Sequence, residues 1–381
     1  MLLAAASHQF PAITVPGGPV VGQPTRLLDA WTPSPLVMWA PEFHYASHSI
    51  RFEVHDGQSS APRPTGIKSR LSDIASRRKE AIRFQDSQLV FDVRYDDNSN
   101  VAHILQNQIG VGLIALEALQ DVISTRDLVF IVNQGTPQYA LDLFRTMQCE
   151  AISSDAPVEG NLLSSNPRKL LLRAVAGRWL HRRAVELGIV SDSRVTGDRV
   201  FLARRGRRSL TNHEKISQLL QEHDFRTVLL EELSIPEQIQ CVVGAETIFG
   251  MHGAALGYLL LRGEEISDKG LLLESFPCGY ATNWCRAMCG LNGLKWIGLM
   301  GSFADQASDA LAPSRQPRLM ESADYELDAG TISRILAPPT LNALGDNPWM
   351  KLGSNFAVHL PADAYSQLQN QRFLIDNEGS T

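Results

Sequence analysis

No stretch of this 381-residue chain stays apolar for the ~18 positions that a bilayer-crossing helix needs, so no membrane span is expected. The opening residues, MLLAAASHQFPAITVPGG, have no basic segment and no long apolar run, so no secretory signal peptide is expected either. Cysteine is scarce. Five residues, an odd number, cannot staple a chain this long, and a reducing cytoplasm is the expected compartment. Positive charge is not in excess: 35 Lys and Arg face 41 Asp and Glu, a net charge of −6. That balance argues against nucleic acid as a partner and against an anionic membrane as the main one, while leaving peripheral membrane contact open. The phosphate-binding G-x-x-x-x-G-K-[ST] and G-x-G-x-x-G loops are missing, as are the G-x-S-x-G elbow and H-E-x-x-H. These absences argue against ATPases, nicotinamide enzymes, α/β-hydrolases and zinc proteases. Cys278, Cys285 and Cys289 lie seven and four apart with no C-x-x-C, so core thiols are expected rather than a zinc site. No metal or other cofactor is expected.

What is present is an ordinary globular composition, 44% hydrophobic and 20% charged, in a chain longer than the roughly 250–300 residues that one core supports. Two domains are expected, residues 1–185 and 186–336, followed by a tail at 337–381. Residues 1–35 are rich in Pro and Gly and read as irregular, as does the SSAPRPTG loop within 56–70. PLVMWAP, IRFEVHD, LVFDVRY, DLVFIV and CEAISS read as strands. A long apolar helix is expected over about 101–119, then PQYALDLFRTM and the basic amphipathic KLLLRAVAGRWLHRRAVELGI. The second half is more regular. DRVFLAR, RTVLL, ETIFG, LLLESF and LKWIG alternate with the helical segments NHEKISQLLQEH, PEQIQCVVGA, AALGYLLLRG and YATNWCRAMCG, the pattern of right-handed crossovers and a parallel sheet. Ser234-x-x-Glu237 is a capping box that starts one of these helices.

Ligands of open parallel sheets sit at the carboxyl ends of the strands, and three kinds of anion-handling group fall there. Arg204, Arg205, Arg207 and Arg208 follow one strand, with Asn212 before the next helix. The turn His252-Gly253-Ala254-Ala255 joins another strand to its helix. Glu274 ends a third inside LLLESF. Guanidinium groups and helix N-termini suit phosphate oxygens, and a carboxylate at a strand end suits the paired hydroxyls of a ribose. Glu274 without a partner in an apolar strand would be costly, which favours a ligand for it. Together these residues read as a nucleoside-diphosphate site. Taken alone, an arginine run at a strand end is usually a solvated turn, and His252 has a plain reading as a turn histidine. His103 reads equally as a core histidine or a cleft residue, and Asp92, Asp96 and Asp97 as caps of the helix that follows.

The motifs Arg204…Arg208-Ser-Leu-Thr-Asn212-His-Glu214, Leu233-Ser234-x-x-Glu237-Gln238, Gly250-Met-His252-Gly253-Ala254-Ala255-Leu256 and Leu273-Glu274-x-Phe276-Pro277 resemble those of the family 61 glycosyltransferases. The resemblance covers about 198–299 and extends more weakly to Asn100-x-x-His103. Before Leu89 and after Leu336 no motif carries it. The usual HGAGL is HGAAL here, through Ala255, and the acidic residue that often follows the N-x-x-H histidine is Ile104. The resemblance implies a GT-B architecture, two Rossmann-like α/β domains with parallel sheets facing across a cleft. It also implies inverting, metal-independent transfer from a nucleotide sugar to a glycan or lipid-linked glycan acceptor, nearest to bacterial surface-polysaccharide synthesis. The donor would be held by Arg204, Arg208, Asn212, His252, Gly253, Ala254 and Glu274. Inversion needs a base on the acceptor side, for which His103 and Asp97, with Asn100 beside them, are the candidates. Two other readings stay open: a polysaccharide pyruvyltransferase, which has no need of a ribose-binding Glu274, and a non-catalytic subunit that binds nucleotide or glycan. Oligomeric state is not legible.

Overall fold

The computed structural model of the chain describes residues 1–15, 18–22, 26–27, 30–31, 36–40, 43–60, 80–123, 127–166, 170, 173–190, 198–206, 208–263, 270–277, 284–301 and 324–337. The tail at 338–381, Arg207 and Cys278 lie outside the described residues. The protein is mixed α/β with two seven-stranded sheets.

The second sheet runs in the order Phe225–Leu229, Arg199–Ala203, Thr247–Met251, Leu271–Phe276, Lys295–Met300, Gly18–Gly22, Leu36–Ala40. Every pairing is parallel except the last. Strand alternation sends successive residues to opposite faces, and both faces are covered. Val200, Leu202, Ile248 and Leu272 pack with the helices Ile235–Gly244, Ala254–Leu261 and Trp284–Leu291. Phe201, Phe249, Leu273 and Ile297 pack with His213–Glu222 and Ala329–Leu336. The expected doubly covered parallel sheet is therefore present over 199–300. Its last two strands are Gly18–Gly22, from the stretch read as irregular, and Leu36–Ala40, the strand expected from PLVMWAP.

The first sheet departs from a purely parallel design. Gln88–Asp92, Asp127–Val132 and Glu150–Ser153 run parallel, and Val158–Asn166 pairs parallel on the other side of Gln88–Asp92. His48–Ser59 and Leu2–Phe10 then add antiparallel. Two expectations are corrected here. Leu2–Phe10 is a strand, because Ala4 and Phe10 bury against the sheet while Ser7 and Gln9 face outward. His48–Ser59 runs on into the segment read as a loop, because Val158–Asn166 pairs along it from Ser59 to Arg51. Val158–Asn166 itself is polar enough to escape a sequence reading, and Gly160 sits at φ 149°, where only glycine is unstrained.

The helix expected at 101–119 forms, but as Val101–His103, a π-helical turn Ile104–Gly110 and Val111–Leu119. Asn100 caps its start, its Oδ1 accepting from the Ala102 and His103 N–H groups. One apolar cluster links this helix and the first sheet to the inner face of the second sheet. At the seam Gly257 lies so close to Ala102 that a Cβ at 257 would sit 2.9 Å from its Cα and Cβ. Among the described residues no helix is long and apolar enough to cross a membrane.

Candidate active site

Five strands of the second sheet stand in the spatial order 2-1-3-4-5, so the chain reverses its direction of winding between Arg199–Ala203 and Thr247–Met251. Such switch points open a crevice beyond the carboxyl ends of the two strands. Arg204 follows one of these ends and His252 the other. The Arg204 guanidinium lies against Gly253, where a Cβ would come within 2.7 Å of its Nη1. Arg208 Nη1 donates to the His252 carbonyl over 3.4 Å. Burial lowers the Arg204 pKa, and the neighbouring Arg208 charge lowers it further. The turn between them is tight, with Gly206 at φ 88° and Arg208 at φ 60°, a left-handed conformation that costs a non-glycine residue about 1–2 kcal/mol.

That turn is held from behind. Ser209 N–H and Oγ donate to Asp324 Oδ1, the Thr211 N–H donates to the Tyr325 carbonyl, and the fully buried Tyr325 hydroxyl meets Ser275 Oγ at 2.7 Å. Asn212 belongs to this clamp. Its Nδ2 donates to the Leu327 carbonyl at 2.7 Å and its Oδ1 accepts from the Leu327 N–H. The expectation of Asn212 as a donor ligand is corrected, because both ends of its amide are taken by backbone.

Glu274 is corrected as well. It shares the inward face of its strand with Leu272 and Phe276 and is 0% exposed. Its Oε1 lies 2.6 Å from His252 Nδ1, and its Oε2 accepts from Trp296 Nε1 at 2.7 Å. The Cys285 thiol, pushed up by burial, bonds to the same carboxylate. Glu274 therefore fixes the imidazole from below and has no oxygen turned to a ribose. His252, 7% exposed, is stacked on Phe276 at 5.3 Å and met edge-on by Trp284 at 6.4 Å. His252, Glu274 and Cys285 bring possible metal-ligand atoms within 4.8 Å of one another, and Glu274 hydrogen-bonds the other two.

The first sheet has its own switch point, because Gln88–Asp92 has Asp127–Val132 on one side and Val158–Asn166 on the other. Beyond its carboxyl end the three candidate carboxylates part company. Asp92 is bound by both Nε and Nη2 of the buried Arg94, at 2.8 and 2.7 Å. Asp97 is exposed, and its Oδ1 accepts from the Ser99 N–H and hydroxyl. Asp96 is the one that meets His103, Oδ1 to Nδ1 at 3.2 Å. The His103 side chain keeps 21% exposure and is not sealed in the core. The following residues tie this helix to the donor side: Ala102 abuts Gly257, and Gln106 Oε1 accepts from Trp284 Nε1 at 3.1 Å. No sequence signal points to Asp96 over Asp97, to Tyr325 or to Trp296.

The model of the family Glycosyltransferase 61 matches residues 28–261. The chain belongs to the glycosyltransferase 61 family. It is therefore a glycosyltransferase, which sets aside the pyruvyl-transfer and non-catalytic readings. The match begins well before Leu89, where the motifs are silent, and ends before Glu274. No curated protein is similar enough to match the chain.

Proposed function

We propose that this glycosyltransferase moves a sugar with inversion, and without a metal, from a nucleoside-diphosphate sugar to a hydroxyl of a glycan or lipid-linked glycan, as a cytoplasmic step of surface-polysaccharide synthesis. The observation that carries the reading is the convergence of Arg204 and Arg208 on the His252–Gly253 turn at a topological switch point. Two guanidinium groups held close enough to lower the pKa of Arg204 are suited to a diphosphate, whose charge removes their mutual repulsion. The peptide N–H groups opening Ala254–Leu261 add the positive end of a helix, and the missing Cβ of Gly253 makes room for the Arg204 guanidinium against that turn.

The chemistry follows from these positions. The acceptor oxygen attacks the anomeric carbon on the face opposite the diphosphate, and the carbon–oxygen bond to phosphate breaks with its electron pair leaving on the nucleotide. Arg204, Arg208 and His252 stabilise that charge where it develops. The acceptor proton passes to His103 across the seam, with Asn100 on the same side. This is the GT-B division of labour, acceptor on the first sheet and donor on the second, to which residues 18–40 also contribute strands. Glu274 serves it by holding His252, so a ligand would meet that imidazole through Nε2.

Calorimetric titration with UDP, GDP and CMP, each with and without magnesium or EDTA, tests the reading. Binding of a nucleoside diphosphate that EDTA leaves unchanged is expected. No binding of any nucleotide overturns the donor site, and binding that appears only with magnesium overturns the metal-independent route.

A further inference from the structure

We propose that Asp96 is the positioning carboxylate of the transfer reaction, holding the His103 imidazole by Nδ1 so that Nε2 takes the acceptor proton. The inference rests on the glycosyltransferase reading above and assigns a residue that it leaves without a role.

Three carboxylates lie six to eleven residues before His103, and their surroundings separate them. Asp92 is neutralised by Arg94. Asp97 shapes an exposed turn. Asp96 has a side chain only 1% exposed, and its Oδ1 accepts from the Asp97 N–H at 2.8 Å while facing His103 Nδ1. That oxygen is thus held from two sides, by a backbone N–H and by the ring it faces. A carboxylate facing one ring nitrogen fixes the tautomer and turns the other nitrogen into the base.

The loop is built to hold this geometry. Asn98 donates to the Val93 carbonyl and accepts from both the N–H and the side chain of Asn133. The Tyr139 hydroxyl donates to the Ser99 carbonyl, and Asn100 caps the helix that carries His103. Of the titratable groups near this loop, Asp97 adjoins Tyr139 from Gln138–Thr146, and Tyr139 adjoins Tyr258 from Ala254–Leu261; burial raises both phenols, which already titrate above the neutral range. In the step itself the proton moves from the acceptor hydroxyl to His103 Nε2, the oxygen bonds to the anomeric carbon, and the diphosphate leaves with its electrons. Asp96 stays ionised and pairs with the imidazolium.

The test uses the full chain and the nucleotide sugar that wild type turns over fastest from a UDP- and GDP-sugar panel, read as nucleoside diphosphate released between pH 5 and 9. Asp96→Asn is expected to lower kcat by on the order of 10²-fold, to leave donor KM within about twofold, and to move the acid limb of the kcat profile to lower pH. Asp96→Glu is expected to recover part of the rate, and Asp97→Asn to match wild type. Wild-type kcat in Asp96→Asn overturns the proposal. So does a rate loss with an unmoved pH limb, and so does a loss confined to KM. If Asp96→Asn does not fold, Asp96→Ser decides on the same readouts, since a wild-type rate or an unmoved acid limb at normal melting temperature overturns the role. A wild-type enzyme that turns over no nucleotide sugar fails at the level of the donor site and takes the proposal with it, whereas an active wild type with an indifferent Asp96 sinks this inference alone.

Discussion

Substituting one hydrogen at Gly257 tests whether the two sheets are held in working register by the seam between them. In Gly257→Ala the new Cβ would lie 2.9 Å from both Cα and Cβ of Ala102 and 3.2 Å from its nitrogen. Carbon atoms sit about 3.5–4.0 Å apart in good contact, so the seam has to open by roughly 0.6–1 Å. Neither side yields easily, because Ala102 is 3% exposed in a capped helix and Gly257 is enclosed among buried leucines. Overpacking of this kind costs about 1–3 kcal/mol. At roughly 2–4 °C per kcal/mol for a large domain, the melting temperature should fall by about 2–12 °C. The effect on rate should be larger. His103 follows Ala102 directly, and a displacement of about 1 Å from the reacting geometry costs on the order of 10²-fold. Arg204, Arg208 and Gly253 stand on the other side of the seam, so calorimetric affinity for the nucleoside diphosphate should stay near the wild-type value. Adding Ala102→Gly removes only one of the two crowded carbons and should recover only part of the rate. A Gly257→Ala protein with unchanged melting temperature and unchanged nucleoside-diphosphate release would refute the tight seam and the dependence of transfer on it.

Other outcomes follow from the same geometry. Arg204→Ala should lower transfer by about 10²–10³-fold with an unchanged circular dichroism spectrum, and retained transfer would remove Arg204 from the site. Glu274→Gln should lower the melting temperature of the ligand-free enzyme, because His252 Nδ1 and the Trp296 N–H lose a shared charged acceptor, at about 1–3 kcal/mol per buried group left unpaired; a residue that only bound ribose would leave that temperature unmoved. Burial pushes the Cys149 thiol up to about 12 and the Cys285 and Cys289 thiols well above their usual range. At pH 8 only about 10⁻⁴ of Cys149 is then thiolate, so mass spectrometry after iodoacetamide should find all three unmodified in the native enzyme, and fast labelling would contradict their burial. For Cys149 the unfolded thiol ionises first, near pH 8.5, so its contribution to stability should fall as pH rises from there towards 12. A melting temperature that rises across that interval would refute the sign.

The alternation of strands and helices after residue 198 was legible because the strands are short apolar runs, covered on both faces, set between longer segments of helical composition. Asn100 as a helix cap and Ser234–Glu237 as a capping box were legible for a related reason: capping is settled within a few residues. The first sheet was harder to read. Leu2–Phe10 and Val158–Asn166 are strands because neighbours far along the chain pair with them, and their own sequences carry little strand signal.

For the candidate site, the local pattern by itself determined which residue types stand at strand ends: the arginines after Ala203, the His252 turn after Met251 and a carboxylate inside LLLESF. Only the tertiary structure decided what each of them faces. Strand periodicity places Glu274 on one face of the sheet but does not reveal that His252 and Trp296 lie across from its two oxygens. Asp96 and Asp97 are indistinguishable as letters in a polar run, yet one is buried against His103 and the other is spent on an exposed turn. Asn212 looked like a phosphate ligand until Leu327, more than a hundred residues on, took both ends of its amide. Local sequence sets backbone conformation and burial through interactions a few residues long. A side chain's chemical role is set by its partner, and here the partners come from other strands and from the far side of the seam.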